Sequence, residues 1–74
     1  MSKLSRSIKP RKLISALIKL GFQEYKGKGS HIRLKHPDGR WTQVAIHPKP
    51  VPLGTLRKIL RQAELTPEEL RKLL

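Results

Sequence analysis

Cysteine is absent from this chain, which removes disulfide frameworks and thiolate zinc sites and leaves nothing that argues for an oxidising compartment. Acids are scarce: five Asp and Glu stand against 17 Lys and Arg. Aromatics are scarcer still, with one Phe, one Tyr and one Trp. No apolar run approaches the roughly 20 residues that a membrane span needs, and residues 1–10 lack the apolar core of a signal peptide. The expectation is a cytoplasmic protein with no membrane segment. Seventy-four residues make one domain, close to the size at which burial is marginal, roughly 60% of the unfolded surface. A shallow site on a sheet surface is expected at that size rather than a deep, dry cavity.

What is abundant is positive charge, a formal net +12 with a sequence pI near 11.1. It is unevenly placed. Residues 1–63 hold fifteen of the Lys and Arg but only two acids, Glu24 and Asp38, whereas residues 64–74 hold two basic and three acidic residues. Such an excess in a small domain repels itself and is best tolerated when the partner is a polyanion.

Residues 1–9 are polar and aperiodic and read as a basic arm; residues 10–74 read as the single domain. Ser7 followed by Pro10 predicts a helix start. Over residues 11–20, Leu13, Ile14, Leu17 and Ile18 recur at three- and four-residue spacing, an amphipathic helix closed by Gly21. Residues 22–26 are a short strand candidate, and Gly27-Lys28-Gly29 is the turn after it. From Ser30 onward Ile32 and Leu34 alternate with His31, Arg33 and Lys35 until Pro37-Asp38-Gly39 breaks the run. Residues 41–46 resume it, with Val44 and Ile46 on the apolar side and Gln43, Ala45 and His47 opposite.

A strict two-residue Asp38-Gly39 loop would set Leu34 opposite Gln43 and mix the buried and wet faces. A longer or bulged loop is therefore expected, with Leu34 opposite either Thr42 or Val44. The first pairing sets His31 beside Ala45; the second sets it opposite His47. Pro48, Pro50 and Pro52 stiffen the next connection. Thr55 reads as the N-cap of a helix with Leu56, Ile59, Leu60 and Ala63 on one face and Arg57, Lys58, Arg61 and Gln62 on the other. Thr66-Pro67-Glu68-Glu69 starts a last short helix. The expected fold is α+β, a three-stranded antiparallel sheet with helices packed on one face, ordered α-β-β-β-α plus a short C-terminal helix. That is the layout of double-stranded RNA-binding domains, with Ile32, Leu34, Val44 and Ile46 inside and the other sheet face wet.

Several motifs in this order carry a family likeness: Gly21-Phe22 after the first helix, Gly29-Ser30-His31 opening a strand, and His36-Pro37-Asp38-Gly39 at the hairpin. A histidine ending the third strand, His47, and Gly54-Thr55-Leu56-Arg57-Lys58-Ile59-Leu60 opening the last helix complete the series. From about Lys12 to Leu70 the chain resembles the HicA (YcfA-like) family. The resemblance implies an mRNA interferase toxin of a type II toxin-antitoxin pair, with no metal or other cofactor. It places His31 at the catalytic histidine, under an antitoxin of the HicB type that covers it. Residues 44–47 read Val-Ala-Ile-His, where that family often has a proline before the histidine.

The residues support the same chemistry. RNA carries its own nucleophile, the 2′-hydroxyl, so cleavage needs a base, an acid and cations around the phosphorane; imidazole, with a reference pKa of about 6.5, suits either proton transfer. Lys28, Arg33 and Lys35 flank His31 or share its face and are the expected charge stabilisers. Ser30 fits either substrate contact or the turn backbone, His47 a phosphate contact, and Arg57 and Lys58 a phosphate grip. Trp41 fits either base stacking or packing at a hairpin end. No histidine pair has i, i+4 spacing on a helix, so no metal site is expected. A non-catalytic double-stranded RNA-binding module is the alternative. A DNA-binding regulator using residues 55–63 as a recognition helix fits less well, since no compact helix-turn-helix precedes them.

The charge makes a direct prediction. If about four phosphates are neutralised, log affinity for single-stranded RNA falls with log salt at a slope of about −3 in filter or anisotropy titrations. An affinity that ignores salt contradicts electrostatic capture.

Overall fold

The expected order of elements is realised. A computed structural model describes residues 8–74 and contains α1 (Pro10–Lys19), β1 (Gln23–Lys26), β2 (His31–Lys35), β3 (Trp41–Ala45), α2 (Leu53–Ala63) and α3 (Pro67–Leu73). The strands form one antiparallel sheet in the order β1-β2-β3. α1 packs on β2 and β3, α2 on β3, and α3 on α1. Leu13 and Leu17 from α1, Leu34 and Val44 from the sheet, Leu56 and Ile59 from α2, and Leu70 from α3 are all buried together with Phe22. Each fully buried aliphatic side chain contributes roughly 1.5–3 kcal/mol, so a core this small needs nearly all of them.

Side-chain parity decides which face of the sheet is wet. β2 and β3 pair with His31 opposite Ala45, Arg33 opposite Gln43, Leu34 opposite Thr42 and Lys35 opposite Trp41. Of the two allowed registers, this is the one with Leu34 on Thr42. The connecting loop is longer than two residues, as the parity requires: His36 donates its N–H to the Arg40 carbonyl at 2.8 Å, and the Gly39 N–H reaches the His36 carbonyl at 2.9 Å. Within it the Asp38 carboxylate accepts from the Arg40 backbone N–H at 3.0 Å and from the Arg40 Nε at 2.8 Å.

Arg40 also ties this hairpin to the helix layer. Its Nη1 donates to the Ala63 carbonyl at 2.6 Å, at the C-terminal end of α2 where the helix leaves carbonyls unpaired. The guanidinium lies 5.3 Å over the Phe22 ring. Beside it the buried Thr42 hydroxyl donates to Gln62 Oε1 at 2.8 Å. Hairpin and α2 are thus held at a fixed distance.

Several boundaries differ from the sequence reading. Residues 1–7 of the basic arm, with Ser7, lie outside the described residues, whereas Ile8 is buried in the core and its carbonyl accepts from the Val51 N–H at 2.8 Å. A single apolar residue has no period, so nothing local marks it. Lys9 occupies the N-cap of α1 without a side-chain capping bond, and Pro10 sits in the first turn. Thr55 is not the cap of α2. The helix begins at Leu53 after Pro52, whose φ of −57° already suits a helix start, so Gly54 and Thr55 lie inside the first turn. β3 ends at Ala45 rather than Ile46, although the Ile46 N–H still bonds the Ser30 carbonyl at 2.9 Å. Ile32 and Ile46 are only partly buried, at the edge of the helix layer. Thr66 does cap α3, in a reciprocal capping box with Glu69.

Truncating the hairpin tie has a defined cost. Arg40→Ala removes a charged donor from a partly buried carbonyl and is expected to lower stability by about 1.5–3 kcal/mol in urea denaturation. A change near zero contradicts the role given to Arg40.

Candidate functional site

On the face away from the helices the side chains stand in rows set by the register. Gln23, Lys35 and Trp41 form one row and Tyr25, Arg33 and Gln43 the next, with His31 beside Ala45 beyond them. Apart from half-buried Ala45, all of these side chains are exposed. The sequence-predicted group of His31, Arg33 and Lys35 therefore shares one wet surface.

The turn that presents His31 is built by its glycines. The His31 N–H bonds the Lys28 carbonyl at 3.2 Å across a turn in which Gly29 has φ +63°, a backbone that side-chain-bearing residues rarely adopt. Gly27 donates its N–H to the His31 carbonyl at 2.9 Å, and a Cβ on Gly27 would stand 2.7 Å from that same oxygen. The run Gly27-Lys28-Gly29-Ser30 thus closes the β1–β2 hairpin directly under the histidine. The imidazole then turns back onto the loop: His31 Nδ1 lies 3.2 Å from the Lys28 carbonyl oxygen. A carbonyl only accepts, so this bond requires the proton on Nδ1 and leaves Nε2 of the neutral ring without one.

Two shallow depressions flank this surface. One, of about 290 Å³, is a trench between β3 and α2, bordered by His31, Gln43, Trp41, Thr55, Lys58 and Gln62. Ala45, the small cross-strand partner of His31, keeps it open between the imidazole and α2. The other, of about 330 Å³, lies around Arg33, Lys35, His36, Arg40 and Trp41. Trp41, at the start of β3, borders both.

The remaining predicted residues are more scattered. Lys58 reaches the trench, whereas Arg57 is exposed on α2 and borders neither depression. His47 is exposed beyond the end of β3 and likewise borders neither. Ser30 serves the ladder through its backbone carbonyl, and its hydroxyl is exposed. Lys28 contributes its carbonyl to His31 and carries its ammonium at the surface. Among the described residues no group of three or more His, Cys, Asp or Glu is placed to hold a metal ion, and no helix is long and apolar enough to cross a membrane.

The residues placed His36 as a hydrogen-bonding partner at the hairpin, but not Arg40 in that cluster or the polar wall supplied by Thr55, Gln43 and Gln62. His36 keeps to the hairpin: its Nδ1 accepts from the Asp38 N–H at 3.2 Å, and its ring meets Phe22 edge-on at 5.1 Å. The Arg40 backbone N–H, followed by the Arg40 guanidinium, holds the Asp38 carboxyl below its ordinary range. The signal was the His-Pro-Asp-Gly-Arg string, in which an Asp side chain closes the turn two residues on.

The fold and this surface define a small basic α+β domain with an open cationic face and one pinned imidazole. The chain matches the model of the HicA toxin of bacterial toxin-antitoxin systems over residues 10–65, from the first turn of α1 through all three strands and α2, and it belongs to that family. No curated protein matches the chain.

The Asp38 contacts carry a pH dependence. Because its folded pKa lies below the unfolded value of about 3.9, its contribution to stability is present above that pH and is lost as the pH falls through the folded pKa. In Asp38→Asn the loss of stability between pH 5 and pH 2 is expected to be smaller than in wild type, measured by thermal unfolding. Equal losses contradict the assignment.

Proposed function

We propose that this protein is a metal-independent endoribonuclease, the toxin of its pair, which cleaves mRNA in the cytoplasm with His31 as general base. The carrying observation is the Nδ1 bond to the Lys28 carbonyl, which leaves Nε2 as the acceptor on the exposed side of the ring. Nε2 takes the proton of a ribose 2′-hydroxyl, and the resulting oxyanion attacks the adjacent phosphorus. The bond from phosphorus to the 5′-oxygen then breaks, leaving a 2′,3′-cyclic phosphate. In an open trench the departing 5′-oxygen takes its proton from water. Such a positioned base supplies typically ~10²- to 10⁴-fold.

Cations complete the site. Lys58 across the trench and Lys28, Arg33 and Lys35 around the face oppose the charge that develops on the phosphorane, where fixed positive groups favour the transition state over the ground state. Arg57 and His47 lie further out and suit flanking phosphates, and the Ser30 hydroxyl is a donor next to His31. The toxin family implies an antitoxin partner. An acidic protein of the HicB type covering His31 and the neighbouring lysines would shut out RNA and neutralise the face at once.

The test uses purified protein on single-stranded RNA. Cutting is expected to persist in EDTA, to spare DNA and to leave 2′,3′-cyclic ends. His31→Ala should slow cutting by about 10²-fold or more while RNA affinity survives, since a neutral imidazole adds little to polyanion attraction. If binding and cutting fall together, His31 is structural and its catalytic assignment fails; if wild type binds RNA without cutting it, the protein is a double-stranded RNA-binding module.

A further inference from the structure

Trp41 is the sole tryptophan of the chain, and 54% of its surface is exposed in the midst of charged and polar side chains. The other exposed aromatic, Tyr25, is already engaged: the Lys35 ammonium lies 5.5 Å over its ring and its hydroxyl donates to Gln23 at 3.0 Å. Trp41 has no ring or cation contact and no hydrogen bond from its indole N–H among the described residues. Its row neighbours on the wet face are Lys35 and Gln23, and more than half of its surface is open to solvent. Its position is specific. It borders both the trench at His31 and the depression at Arg33 and Lys35.

We propose that Trp41 is a stacking platform for an unpaired nucleobase, which makes RNA that is single-stranded on the β3 side of the cut the substrate of this face. This rests on reading the face as an RNA site. Trp41 lies four strand steps from Ala45, which is beside His31, a distance of about 14 Å at ~3.4 Å per residue, so the stacked base belongs to a nucleotide beyond the one that is cut. Arg33 and Lys35 border the same depression and take the phosphates of that nucleotide, while Gln62, whose Oε1 is held by Thr42, keeps its NH₂ as a donor at the trench. A duplex cannot use this platform, because pairing and stacking hide the base faces that an indole would cover.

The lone tryptophan is its own reporter. In His31→Ala protein, which removes cutting from the measurement, a short single-stranded oligoribonucleotide should quench Trp41 fluorescence on binding. An abasic strand of equal length should bind through its phosphates without that quenching, and an RNA duplex should not quench. In the same background Trp41→Ala should weaken single-strand binding about 5- to 150-fold by anisotropy of a labelled oligonucleotide, with Trp41→Phe close to the parent. Unchanged affinity in Trp41→Ala with a native circular dichroism spectrum, or equal quenching by the abasic strand or the duplex, overturns the platform. If wild type fails to cut RNA while the quenching pattern holds, the nuclease reading falls and the platform stands. Cutting without quenching has the opposite meaning.

Discussion

A slip of one residue of β2 against β3 would turn His31, Arg33 and Lys35 toward the helices and push Ile32 and Leu34 into water, so everything the wet face does depends on that register. Two things oppose the slip. Leu34 and Val44 are nearly fully buried, and the 36–40 hairpin is closed by Asp38 and bolted through Arg40 to the end of α2. The bolt matters because β3 is an edge strand with few residues, and short strands alone specify register weakly. Arg40 therefore sets, from outside the wet face, how β3 meets α2.

The small size of the domain then dictates the style of its chemistry. With the core spent on α1, α2 and one sheet face, no interior remains to desolvate a catalytic group. Selectivity has to come from geometry at the surface: a glycine-built turn that fixes the histidine, a carbonyl that fixes its tautomer, and cations spaced around it. The net charge of +12 is carried outside the acidic last segment, where Thr66, Glu68 and Glu69 instead organise the start of α3. Within the HicA toxin family, to which this chain belongs, that division separates a face open to a polyanion from a helix layer that holds the fold.

Much of this was legible in the residues. The alternation of Ile32 and Leu34 with His31, Arg33 and Lys35 identified β2 and its two faces, and parity alone ruled out a two-residue hairpin loop. It left two registers, because both Thr42 and Val44 lie on the inner side; the choice between them depended on backbone bonds inside the 36–40 loop that no local propensity reports. The start of α2 was misread at Thr55, since a capping residue type outweighed the fixed φ of Pro52 in a reading by pattern. The burial of Ile8, the side-chain bond of Thr42 and the tie made by Arg40 were invisible for one shared reason: each runs to a partner far along the chain, Val51, Gln62 and Ala63. The candidate site divided along the same line. His31, Arg33 and Lys35 sit on one strand and were found together, whereas the opposing wall of Thr55, Lys58 and Gln62 depends on how α2 meets β3.

The most direct test of the chemistry is the protonation pattern of one ring. Long-range proton–nitrogen correlation NMR on the His31 side chain, at a pH where the imidazole is neutral, should show the proton on Nδ1 and a bare Nε2, as the Lys28 carbonyl requires. A ring found with its proton on Nε2 would contradict the assignment of His31 as the base.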